Sequence, residues 1–230
     1  MKKMYKAMLL VLCAVLLVVA SVMGTLAYLQ MTTGTVQNTF TVGKVEITLD
    51  EAKVNAYGEL VDVNGNVTTA GADNLAPRIP DGNSTGNEYK LIPGHEYTKD
   101  PTVTVKAGSE ACYVFVKVTN NISAIEAATT IFDQIEDNDW NVLYTFGENY
   151  TTAIYYMLVD ATDVDVKYPV FNTFKIKTDA DGQTLKNYDG ETIEITAYAI
   201  QMDGLVDPEM TEWENADAAW TKGSWYVDPV

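Results

Sequence analysis

His95 is the sole histidine in 230 residues. Any site needing two imidazoles is therefore excluded, the H-E-x-x-H zinc helix above all. His95-Glu96 opens like that motif, but Tyr97-Thr98-Lys99 follow and Pro93-Gly94 precede, so a surface turn is expected. A Ser-His-Asp triad lacks its Gly-x-Ser-x-Gly elbow. Carboxylates are plentiful, with 32 Asp+Glu against 15 Lys+Arg. Asp160, Asp163 and Asp165, together with Asp179 and Asp181, are the candidate Ca2+ ligands. None of these runs follows the twelve-residue calcium loop with its terminal glutamate. Asp179-Ala180-Asp181-Gly182 reads first as a turn that stops a strand. No spacing selects a pair of glycosidase carboxylates. Tyr155-Tyr156 and Trp225-Tyr226 have the chemistry to stack on sugars, but strand-borne aromatics more often fill a core or pair across strands. No catalytic residue emerges, and Ca2+ is the only cofactor the side chains suggest.

The elements that must carry these residues are strands. Val, Ile, Thr and Tyr recur throughout. Alternation from Thr39 to Leu49 changes phase at Gly43, as at a bulge. Asn64-Gly65 marks a tight hairpin, and 71–86 is rich in Gly, Pro, Asn and Asp. Tyr89 to Gly94 predicts a strand ending in a Pro-Gly turn, and Thr102 to Lys106 a further strand. Ala111 to Thr119 is apolar on both faces and therefore central. Trp140–Phe146, Thr151–Val159, Phe171–Lys177 and Thr192–Gln201 complete the strands. Ser123-Ala124-Ile125-Glu126 has the pattern of a capping box opening a helix, and Asp207-Pro208 that of a second helix start. The expected fold is mainly β: a jelly-roll-like β-sandwich with one or two short helices. An immunoglobulin-like sandwich is the alternative, although its Cys…Trp…Cys pattern is absent.

The first residues read as an export signal. Lys2, Lys3 and Lys6 precede an apolar run from Ala7 to Met23, and Thr25 and Ala27 fit positions −3 and −1 of a cut at Ala27–Tyr28. An uncleaved N-terminal anchor is the competing reading. Cleavage leaves 12 basic against 32 acidic residues, a formal charge of −20 where the full chain has −17. Such a surface repels nucleic acid and anionic lipid. Only Cys112 then remains, so the fold rests on a core and not on disulfides.

Gly24-Thr25-Leu26-Ala27-Tyr28-Leu29 followed by Asn38-Thr39-Phe40-Thr41-Val42-Gly43 resembles the signal and mature start of the TasA/camelysin family. Lys90 to Pro101 and Glu194 to Gln201 are similar to that family's strand patterns. The resemblance covers residues 1–55, 88–119 and about 191–220. It implies a secreted protein of a Gram-positive bacterium, cut by a SipW-type signal peptidase and assembled into extracellular biofilm-matrix fibres. In such fibres the N-terminal strand of one jelly-roll subunit completes the sheet of the next. Its partners would be copies of itself, with other matrix proteins or polysaccharide around them. The metalloprotease label that the family also carries finds no second histidine here.

On the sequence's own terms, strand donation to a neighbour and pairing of the same segment within its own subunit's sheet stand equally. Tyr28, Leu29, Met31, Val36, Phe40 and Val42 make a β-prone apolar segment suited to adding to a sheet edge. The expected organisation is a signal peptide at 1–27, an assembly segment at 28–43 and one β-sandwich at 44–230 with an exposed insert at about 56–87. A cell-surface adhesin or carbohydrate-binding module on the same sandwich is the competing function.

Overall fold

One strand, Cys112–Asn120, organises the rest. Successive side chains in a strand point to opposite faces. Cys112, Val114, Val116 and Val118 therefore enter one core, while Tyr113 and Phe115 enter another. The computed structural model describes residues 4–6, 8, 10–18, 43–80, 86–223 and 225. The chain divides into two units, 1–42 and 43–230. The described residues of the first are helical. Among the described residues, no helix is long and apolar enough to cross a membrane.

The second unit is mainly β. Its strands are β1 (Ile47–Glu51), β2 (Ile79–Pro80), β3 (Glu96–Thr98), β4 (Thr102–Val105), β5 (Cys112–Asn120), β6 (Asn141–Phe146), β7 (Thr152–Val159), β8 (Val166–Pro169), β9 (Thr173–Lys175) and β10 (Ile193–Gln201). One sheet has the order β2-β1-β4-β8 and another the order β10-β5-β7-β6, while β3 and β9 form a ribbon. Every pairing among these strands is antiparallel. Val103 and Val105 of the first sheet share a core with Val114, Val116 and Tyr155 of the second, so the two pack as a sandwich. The outer face of the second sheet is covered by a helix that brings Ala216, Ala219 and Trp220 onto Phe115, Ile154 and Tyr156.

Three short helices punctuate this unit: α1 (Ile131–Asp137), α2 (Gly182–Lys186) and α3 (Glu212–Lys222). Their starts differ from the sequence reading. Ser123–Ile125 is a single 3-10 turn without a side-chain cap, and α1 begins later with a reciprocal Thr130/Asp133 capping box. Glu126 is drawn into the core instead of capping Ser123. Likewise α3 is capped by Thr211 and Glu214, and Asp207 instead accepts from Glu209 N in the approach to the helix.

The described residues of the stretch 56–87 are mostly exposed but not structureless. Val54–Leu60, Val61–Val67 and Asp62–Leu75 form antiparallel bridges, Val61 is buried, and β2 lies within it. The Asn64-Gly65 turn forms as expected: Gly65 has a φ of 83°, and Asp62 N donates to Asn66 O at 2.8 Å. Gly58 is needed for a different reason. A Cβ there would lie 2.6 Å from Tyr97 Cα, so only glycine lets this turn rest on β3.

Thr211→Ala removes the hydroxyl that accepts from Glu214 N and should destabilise the unit by about 1 kcal/mol, read from the midpoint of urea unfolding. Thr211→Ser keeps the cap and should stay near wild type.

Candidate functional site

A sheet edge exposes unpaired backbone groups, and proteins usually blunt it. Among the described residues, three of the four edges of the two four-stranded sheets are blunted. β2 is two residues long and ends in Pro80. β8 is four residues long and ends in Pro169, whose carbonyl accepts from Trp140 Nε1 at 2.9 Å. β6 carries a register shift between Val142 and Tyr144, and Leu143 O is taken by Trp213 Nε1 at 3.3 Å. The fourth edge is β10, which spans nine residues and, among the described residues, pairs with β5 alone.

The core beneath β10 is correspondingly unfinished. Val114 and Val116 of β5 are fully buried. Ile193, Ile195, Ala197 and Ala199 of β10 are only partly so, as are Val45, Ile47 and Leu49 on the β1 side. β2 covers β1 only at Asp50 and Glu51. β1 and β10 lie against one another without pairing among the described residues. A cleft of about 1390 Å³ opens beside them, lined by Leu49 and Ile79 on one side and Ile193 and Ile195 on the other.

The cleft also takes in Tyr89, Lys90 and Leu91, which lead into the Pro93-Gly94 corner, and Phe174. Tyr97 is buried and stacks on Phe174 at 4.8 Å, and Tyr89 meets Phe174 edge-on at 5.1 Å. The Tyr97 hydroxyl donates to Lys90 O at 2.6 Å and accepts from Ile92 N at 2.7 Å, which holds the Pro93-Gly94 turn. Burial, with the Glu51 carboxylate second, pushes the Tyr89 phenol far above its usual range. His95 stands at this corner as a staple: its Nε2 donates to Tyr57 O at 2.9 Å and its ring meets Tyr97 edge-on. The expected turn is therefore present, and its histidine ties the insert to β3.

Asp50, Glu51 and Lys99 line one lip of the cleft, and Arg78 and Asp100 back them. Arg78 bonds Asp50 through Nε, Asp100 Oδ2 through Nη1 at 2.7 Å, and Asp100 O through Nη2 at 2.9 Å. Asp100 in turn accepts from Ala52 N at 2.6 Å. Beside this network, Lys99 pairs with Glu51, and Asn87 joins them. The sequence reading passed over this lip, although one signal was available: Arg78 is the only arginine in the chain.

Glu126 is a second residue that the sequence reading misplaced. It is 2% exposed, accepts from Asn120 Nδ2 at 2.6 Å and from Ile131 N at 3.2 Å. Asn120 Oδ1 also accepts from Ile122 N, and Ile122 lines the cleft. Desolvation raises the Glu126 carboxyl from 4.5 to about 7, against the opposing pull of the Asn120 and Ile131 hydrogen bonds.

The remaining expected positions separate. Asp165 accepts from Ala107 N and Lys106 Nζ, both at 2.9 Å, and those bonds hold its carboxyl below the usual value. Asp181 caps α2 through Thr184 N at 2.7 Å, which lowers it likewise. Asp160, Asp163 and Asp179 are exposed. Among the described residues, no three of His, Cys, Asp and Glu converge as metal ligands. Tyr155 and Tyr156 are core residues, and Trp225 stacks on Tyr198 at 5.0 Å. Ala27, Tyr28, Leu29, Met31, Val36, Phe40, Val42 and Tyr226 lie outside the described residues.

Comparison with known proteins returns no match to a family model, a curated protein or a solved structure. The site is therefore read from its own geometry.

The raised carboxyl of Glu126 fixes a sign. The folded state binds this proton more tightly than the unfolded chain. The stabilisation is therefore complete below pH 4.5 and is lost as pH rises to about 7. Glu126→Gln should remove that slope, a difference of about 3 kcal/mol across the window, read by comparing urea midpoints of variant and wild type against pH.

Proposed function

We propose that this chain is a secreted structural subunit of extracellular biofilm-matrix fibres, joined head to tail by donation of an N-terminal strand. Cleavage at Ala27–Tyr28 frees the segment 28–42, which adds to the β10 edge of the next subunit. The carrying observation is the asymmetry of the edges: three are blunted, and the fourth runs nine residues beside a cleft of about 1390 Å³. Backbone bonds to β10 supply affinity, and alternate side chains such as Leu29 and Met31 cover Leu49, Ile193 and Ile195. A contact between two different faces of identical subunits does not close on itself and yields a filament. The resemblance of 24–29 and 38–43 to the TasA/camelysin signal and mature start points the same way, as does a jelly-roll-like sandwich as the repeating unit. A SipW-type peptidase acts during export, polysaccharide and other matrix proteins surround the fibre, and the subunit itself has no catalytic role.

Protein beginning at Tyr28 should form filaments under the electron microscope and sediment rapidly. Protein beginning at Asn38 lacks Leu29, Met31 and Val36 and should stay monomeric. Ile195→Lys, which sets a charge in the cleft, should block assembly in the longer protein. Mildly acidic buffer should favour assembly, because protonation lowers the repulsion between subunits of formal charge −20. If the Tyr28 protein remains monomeric across pH and with added calcium, the proposal fails.

A further inference from the structure

Glu51, at the end of β1, holds two side-chain nitrogens on one carboxylate. Its Oε2 accepts from Lys99 Nζ at 2.6 Å, and its Oε1 accepts from Asn87 Nδ2 at 3.0 Å. Lys99 is 8% exposed, and the Glu51 side chain is 14% exposed. The orientation of the Asn87 amide is fixed by the backbone on both sides. Its Oδ1 accepts from Val54 N at 3.0 Å, and its Nδ2 also donates to Ala52 O at 2.8 Å. Val54 is itself buried. An amine, a carboxamide and a carboxylate able to move protons between them thus meet at one shielded point. At this largely shielded point on the lip of the cleft, such positioning supplies much of what an uncatalysed amide exchange lacks.

We propose that Lys99 and Asn87 join in an intramolecular isopeptide bond, with Glu51 as the proton relay. The Lys99 ammonium passes a proton to Glu51, and the freed amine attacks Cγ of Asn87. The new N–C bond leaves an oxyanion on Oδ1, where the Val54 N–H already donates. Glu51 transfers this proton to Nδ2, the oxyanion collapses and the Cγ–Nδ2 bond breaks. The departing ammonia takes the second proton that Nζ sheds, relayed by Glu51, and leaves as ammonium. One amide replaces another, the carboxylate is regenerated, and neither oxidant nor cofactor is consumed. The product covalently ties the residues just before β4 to the 86–91 segment, around the Pro93-Gly94 corner and against β1.

Intact-mass spectrometry of the folded wild-type chain decides this. A chain lighter than its sequence by one ammonia, with a branched peptide linking Lys99 to Asn87 after digestion, is the expected result. Glu51→Gln, Lys99→Arg and Asn87→Ala should each restore the full mass expected for the variant. Far-UV circular dichroism identifies which variants are folded, and the wild-type mass carries the test whether or not they are. A folded wild-type chain at full mass, with residues 87 and 99 on separate peptides, overturns the proposal. So does a mass increase at Asn87 from deamidation without a link.

Discussion

Burial of β5 on both faces is the constraint from which the rest of the fold follows. A strand with Cys112, Val114, Val116 and Val118 on one side and Tyr113 and Phe115 on the other cannot leave either face in water. One face obliges a second sheet to pack against it, and β1, β4 and β8 supply that sheet. The other face obliges a cover, which α3 provides through Ala216, Ala219 and Trp220. Within its own sheet the strand also needs hydrogen-bonding neighbours on both sides. Its pairings with β7 and β10 extend along almost its whole length. The requirement then passes to β10, which satisfies β5 and has no strand on its own far side among the described residues.

The polar interior follows a related economy. Buried charge is costly unless it is paired and hydrogen-bonded. Arg78 meets this by binding side chains and carbonyls of Asp50 and Asp100 together, Lys99 by its carboxylate partner, and Glu126 by two donors. The first two of these arrangements lie along the lip of the cleft, and the third reaches it through Asn120 and Ile122. The apolar side of the cleft stays incompletely packed while its polar rim is held by paired charges, the combination that the proposed strand donation calls for.

Much of the scaffold was legible in the sequence because it rests on local pattern. The two-sided apolar run gave β5 its central place, and β6, β7 and β10 fall within a residue or so of their expected limits. Asn64-Gly65 and Pro93-Gly94 turn where their chemistry says they should. The misreadings share a cause, which is tertiary competition for the same group. Glu126 had the spacing to cap Ser123, but Asn120 and the start of α1 offered it a buried partner. β8 is too short to show a period, and it exists because β4 needs a neighbour. Glu51, Asn87 and Lys99 are separated by 36 and 48 positions, so no spacing rule could join them. Asp165 and Asp181 each hold a backbone amide, Ala107 N and Thr184 N, a contact that no spacing shows.

The clamp around the chain's single arginine has a consequence for how the molecule opens. Trypsin-like proteases with strict arginine preference have one bond to cut here, Arg78–Ile79, and it sits at the start of a strand whose first side chain is buried. That bond becomes cleavable only when the guanidinium lets go of Asp50 and Asp100 and β2 leaves β1. The rate of this one cut therefore measures the free energy of a single local opening on the β1 side of the cleft, separately from unfolding of the sandwich as a whole.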